Sequence, residues 1–184
     1  MRALIAAHQT LFAPIERLGM AALPLLARFT FAATLLVYFW ASALTKLGDG
    51  LSGLLRPSVG AYAQIFPRAF EAVGYDVSQL SAWHWLVVVA GTWAELLLPA
   101  LIVLGLLTRL AALGMIGFVL VQSLTDIHGH GADAATIGAW FDRIPDSAIL
   151  DQRLFWCFTL LVLVIRGGGA LSLDAVLARR RSAR

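Results

Sequence analysis

Residues 83–107 read WHWLVVVAGTWAELLLPALIVLGLL. A bilayer-crossing α-helix takes about 20 predominantly apolar residues, and this run supplies them with Glu95 as its one carboxylate. Only Thr108-Arg109 separates it from a second apolar run, Leu110 to Thr125, and so short a connection makes the two an antiparallel hairpin. Upstream, Leu23 to Lys46 has the same character, with Pro24 near its first turn, where a missing N–H costs little. Downstream, Asp151 to Arg166 is a shorter fourth run that stops at Gly167-Gly168-Gly169. The chain is 60% hydrophobic and 14% charged, with a mean hydropathy of +0.81, too apolar for a domain whose whole surface faces water. The expected fold class is all-α, an integral membrane four-helix transmembrane bundle, with spans at about 23–46, 83–107, 110–125 and 151–166.

One four-span membrane domain, 23–177, lies between a cytoplasmic or interfacial N-terminal segment, 1–22, and a basic cytoplasmic tail, 178–184. In the first segment Leu4, His8, Leu11, Ile15 and Leu18 recur at helical steps, suiting an amphipathic stretch on the inner membrane surface whose length Pro14 limits. Pro14, Glu16 and Arg17 interrupt any signal-peptide core, so this segment is expected to be retained. The loops 47–82 and 126–150 carry Tyr62, Ile65, Phe66, Phe70, Trp140 and Phe141, which are expected to lie against the membrane surface. Cys157 is the single cysteine, so it packs as a small hydrophobe rather than in an intrachain disulfide.

Orientation follows from charge. Arg2, Arg17, Arg28, Arg109, Arg166, Arg179, Arg180, Arg181 and Arg184 fall on one side, which becomes cytoplasmic by the positive-inside rule. On the other side Lys46, Arg56, Arg68, Arg143 and Arg153 are offset by eight aspartates and glutamates. Trp40, Trp83, Trp85, Trp140 and Trp156 gather at or beyond the outer span ends, where indole rings anchor. Both termini are therefore expected inside. The isoelectric point of 9.6 reflects the inner arginines, which suit anionic lipid headgroups and not nucleic acid.

Glu95 sits deep in its span, where a carboxylate costs several kcal/mol unless it is paired or protonated, so it is expected to face the bundle interior. It is the candidate proton-relay or ligand site; the alternative is a neutral acid that joins helices. Thr30, Thr34, Tyr38, Ser42 and Thr45 form a polar stripe on the first span, and Thr34 or Tyr38 is expected to hydrogen-bond Glu95. Arg28 and Lys46 end this span and either snorkel or, in the case of Arg28, pair inside the bundle.

The stretch Asp126-Ile127-His128-Gly129-His130-Gly131-Ala132-Asp133 concentrates the donor types of copper and zinc sites. Histidines two apart share a metal only in an irregular loop. Asp126, His128, His130 and Asp133, with His84 from the neighbouring span, are the candidate donors; a solvated loop is the alternative. No glycine-rich nucleotide cradle, paired-cysteine site or nucleophile elbow occurs.

Glu95 followed by Gly105-Leu106-Leu107-Thr108-Arg109-Leu110-Ala111-Ala112, Arg28 with Lys46-Leu47, and Gly167-Gly168-Gly169-Ala170-Leu171-Ser172-Leu173-Asp174 together resemble the DoxX family of small four-helix bacterial membrane proteins. Ala43 and Pro99 stand where that family would have glycines. The resemblance implies a bacterial inner membrane, a protein partner and a setting in redox or metal handling. Two readings follow: an accessory or membrane subunit of a quinone-linked redox system, non-catalytic in itself, or an accessory for copper or zinc handling or for maturing metal-binding peptides. A small-solute transporter and a homo-oligomer are further options.

Overall fold

The computed structural model describes residues 1–182; of the basic tail, Ala183 and Arg184 lie outside the described residues. Four helical stretches are long and apolar enough to cross a membrane: Leu4–Lys46, Ala82–Leu104, Thr108–Gly129 and Ala148–Arg166. The first comprises α1 (Arg2–Phe31), a π-helical turn at Ala32–Leu36 and α2 (Val37–Lys46). Between the first two spans lie α3 (Val59–Ile65) and α4 (Pro67–Ala72). The hairpin is α5 (Ala82–Leu104) with α6 (Thr108–Leu124), the latter prolonged by a π turn at Thr125–Gly129. The short α7 (Ala134–Ile137), a π turn at Ala148–Gln152, α8 (Arg153–Arg166) and α9 (Leu173–Ser182) complete the chain. Strands are absent among the described residues.

Contacts run α2 to α5, α5 to α6, α6 to α8 and α8 back to α1, so the spans close into a ring of antiparallel neighbours. Phe31, Leu35, Phe39, Ile102, Ala111, Ala112, Met115, Leu160 and Leu163 fill its centre and are almost completely buried. Most other apolar side chains are exposed, which in lipid is the normal condition of a span's outer face. Over the bundle end where the first span stops at Lys46, termed outer after the orientation expected from charge, Tyr62 and Phe70 of α3 and α4 pack with Val88 of α5 as a second small core.

Two boundaries differ from the sequence expectation. The turn of the hairpin is Gly105–Leu107, not Thr108-Arg109: Gly105 adopts φ +69°, and Leu106 N–H and Gly105 N–H bond back to Leu101 and Ile102 carbonyls in a glycine-terminated helix stop. The N-terminal segment is no separate piece either. α1 runs unbroken through Pro14 and across 22/23, because losing one backbone bond does not end a helix whose neighbouring bonds persist. At 43 residues the first stretch is roughly 65 Å long, about twice a hydrocarbon core, and from Leu4 to Leu23 all but Ala13 and Ala22 are exposed.

Candidate functional site

The buried face of the first span is Phe31, Leu35, Phe39, Ala43 and Lys46, one position away from the hydroxyl stripe. Lys46 closes α2, where the helix C-terminus favours a cation, and only 5% of it is exposed. Its ammonium donates to Glu95 Oε2 at 2.8 Å and Oε1 at 3.1 Å, and to Ser42 Oγ at 2.7 Å. Ser42 Oγ in turn donates to Glu95 Oε1 at 3.2 Å. Glu95, 3% exposed, thus faces the interior as an ion pair.

The expected bond from Tyr38 or Thr34 to Glu95 does not form. Thr34 Oγ1 donates to Thr30 O, and the Tyr38 hydroxyl accepts from Gln122 Nε2 at 2.9 Å. The reason is register. Trp40 Nε1 donates to Leu96 O, which sets Leu96 beside Trp40, while Trp93 and Trp85 donate to Leu54 and Leu55 beyond the end of α2. The outer turns of α5 therefore overhang α2, and Glu95 meets the last turns of α2 instead of its middle. The π turn at Ala32–Leu36 adds one residue and so keeps residues four apart on one face, which holds the hydroxyl series one position, roughly 100°, away from the buried face along its whole length.

Beside this pair lies a cavity of about 580 Å³ in the outer half of the bundle. Its apolar walls come from small residues of the hairpin, Ala90, Gly91, Ala94, Gly114 and Gly117, with Leu98 and Phe118. A Cβ built on Gly117 would meet no atom within 4 Å. Val121 borders the cavity although it is 63% exposed, and Ala90, Gly114 and Gly117 are also exposed, so the space opens sideways between α5 and α6 at the level of lipid chains. A second charged pair stands on the rim: Arg153, 8% exposed, donates through Nη2 to Asp126 Oδ2 and through Nη1 to Ser123 Oγ at 2.9 Å. Asp126 lies in one π turn and Arg153 directly follows another. Neither Lys46 nor Arg153 is singled out by the sequence as a buried cation; the signal available is that each ends a span antiparallel to one carrying a carboxylate.

Arg28 is not part of this site. Its guanidinium, some 10 Å along α5 from Glu95, donates to the carbonyls of Ile102, Val103, Gly168 and Leu171. Val103 O is a free carbonyl at the end of α5, Ile102 O accepts from Gly105 N–H as well, and the other two belong to the loop after α8. Asp174 completes this inner clasp by accepting from Leu107 N–H (2.8 Å), Thr108 N–H (2.9 Å) and Thr108 Oγ1 (2.7 Å). Partial burial works to raise the Asp174 carboxyl, but the Thr108 and Leu107 donors, with the Arg28 charge nearby, outweigh it and hold it below the usual carboxylate range.

With the clasp and the buried pair placed, residues 23–126 match the family model of DoxX. The chain belongs to the DoxX family. Neither the curated proteins nor the solved structures contain a match. The DoxX match contains Arg28, Lys46, Glu95, Gly105 and Thr108, hence most of the clasp and the whole buried pair, while Arg153 and Asp174 follow it.

The outer donors of this DoxX chain do not converge. Asp126 is paired with Arg153; His130 Nε2 is 2.9 Å from Gln64 O; His84 Nδ1 is 2.8 Å from Ser81 Oγ. Asp133 caps α7 by accepting from Thr136 N–H, which holds its carboxyl below the usual range. Among the described residues no three His, Cys, Asp or Glu side chains, His128 included, are grouped to hold a metal ion. The π turn carries the α6 backbone on as far as Gly129, so Asp126 and His128, two apart, leave it on different sides, while His130 caps the turn and Asp133 begins α7.

Proposed function

We propose that this DoxX protein is a membrane subunit of a quinone-linked redox system and that the outer cavity takes the quinone head. The observation that carries this reading is the cavity: apolar walls, the Lys46–Glu95 pair at one side, and an opening toward lipid between α5 and α6. A flat ring with polar oxygens and a long apolar tail fits a concave, mostly apolar site with few convergent polar groups, and a sideways opening suits a ligand dissolved in the bilayer. Lys46 donates to a ring oxygen, and Glu95 holds or exchanges the proton that accompanies reduction or oxidation of the ring. Electrons pass to or from a protein partner in the complex. The arginine and tryptophan asymmetries support a bacterial inner membrane with both termini cytoplasmic and the cavity in the periplasmic half.

Gly117→Leu tests this, because a Cβ there meets no atom within 4 Å and the added side chain takes up cavity space without replacing a member of either charged pair. Wild-type protein purified from native membranes is expected to yield about one extractable quinone per cavity. The variant, with unchanged elution and helical circular dichroism, is expected to retain a tenth or less. Wild-type protein free of quinone, or equal loading of the two proteins, contradicts the reading.

A further inference from the structure

Two polar residues that line the cavity besides the Lys46–Glu95 pair are incompletely hydrogen-bonded. Arg153 uses Nη1 and Nη2 on Ser123 and Asp126, but its Nε has no partner, and neither has Gln122 Oε1; both atoms are closed to solvent. Tyr38 serves one end of the Gln122 amide, and in either orientation of that amide its other end stays unpaired. A buried unpaired polar group costs about 1–3 kcal/mol, so two on residues that line one cavity mark a place that a further polar atom would relieve. Both residues border the same cavity as Lys46 and Glu95.

We infer that Gln122 and Arg153 form a second oxygen anchor, so that the site takes a ring with two oxygens in preference to a lipid with a single polar head. The inference rests on the quinone reading and adds the residues that set its specificity. Gln122 reaches the ligand by turning about its terminal torsion, which is broad and soft, while Tyr38 follows or releases it. Arg153 is held by Asp126, Ser123 and its position 6.0 Å over the Trp156 ring, and a turn of its side chain about these contacts brings the Nε–H, closed off as it stands, to the ligand. Asp126 keeps this end of the cavity neutral overall, as Glu95 does at the other, so the recognised group is a neutral oxygen and not a phosphate or carboxylate.

A site built to hydrogen-bond an oxygen discriminates strongly against an analogue that lacks it. The test compares 2-decylbenzene-1,4-diol, kept reduced under argon, with the two decylphenols that each lack one of its hydroxyls, binding to the purified full-length protein. Wild type is expected to bind the diol at least tenfold tighter than either phenol. In Gln122→Leu, which leaves both ion pairs intact, the advantage over one phenol is expected to shrink to threefold or less. Equal binding of diol and phenols by wild type overturns the second anchor and leaves the cavity reading standing. Preference retained in full by Gln122→Leu also overturns it. Failure of wild type to bind any of the three overturns the cavity reading and the anchor with it.

Discussion

Glu95 and Lys46 show what a single residue's position decides. Breaking a buried pair leaves an uncompensated charge and costs roughly 3 kcal/mol or more, whereas removing both charges together is often close to neutral. Glu95→Gln is therefore expected to lower the unfolding temperature of the detergent-solubilised protein by many degrees. Lys46→Met combined with Glu95→Gln is expected to recover most of that loss without recovering quinone. A double variant as unstable as the single one would show that the pair is not the reason for the loss. Asp174 gives the pH counterpart. Its folded value is depressed, so its stabilising contribution is fully present above the ordinary carboxylate range and is lost as pH falls through the folded value. Thermal unfolding followed from pH 7 down to about pH 3 should fall more steeply in wild type than in Asp174→Asn, with little difference between them in slope above pH 5. That Glu95 faces inward was legible in the sequence, because lipid leaves a carboxylate no alternative. Its partner was not, since the overhang of α5 past α2 is set by tryptophan bonds to Leu54, Leu55 and Leu96 that no local pattern announces.

Among the elements, the hairpin and the clasp hold the inner half of the bundle together. Gly105 combines φ +69° with a close approach: a Cβ there would lie 2.5 Å from Ser172 Cβ and 3.0 Å from Arg28 Cζ. Gly131 has the same φ, yet a Cβ there would meet nothing within 4 Å. Gly105→Ala is thus expected to cost clearly more than Gly131→Ala, whose penalty is the left-handed conformation alone, about 1 kcal/mol. Chemical or thermal unfolding of the two variants side by side checks this, and equal losses would remove the clasp as the reason for Gly105. The four spans were legible as elements because apolar length is a strong signal. The π turns were not. The first inserts one residue into a helical phase and so continues the buried face at steps of four, Phe31, Leu35, Phe39 and Ala43, while the second carries the helix on to Gly129 and takes in Asp126 and His128.

Across the whole molecule, the inner half is closed by apolar packing and the clasp, while the outer half is held open by small residues on α5 and α6 and by two ion pairs. Arg109 and Arg166, exposed at the closed end, and His130, at the open end, provide the topology test. Single cysteines at Arg109 and Arg166, made in a Cys157→Ala background, are expected to resist an impermeant thiol reagent applied to intact cells, while one at His130 reacts. The reverse labelling would invert the orientation. The molecule's central feature is the lipid-open cavity beside Lys46–Glu95, and photolabelling tests it most directly. A tritiated azidoquinone with a decyl tail, irradiated with the purified protein and mapped by mass spectrometry, is expected to label peptides containing Ser42, Ala94 or Phe118, and excess unlabelled quinone is expected to suppress that label. Label confined to the exposed lipid-facing residues or to the inner clasp, and indifferent to competitor, would contradict it.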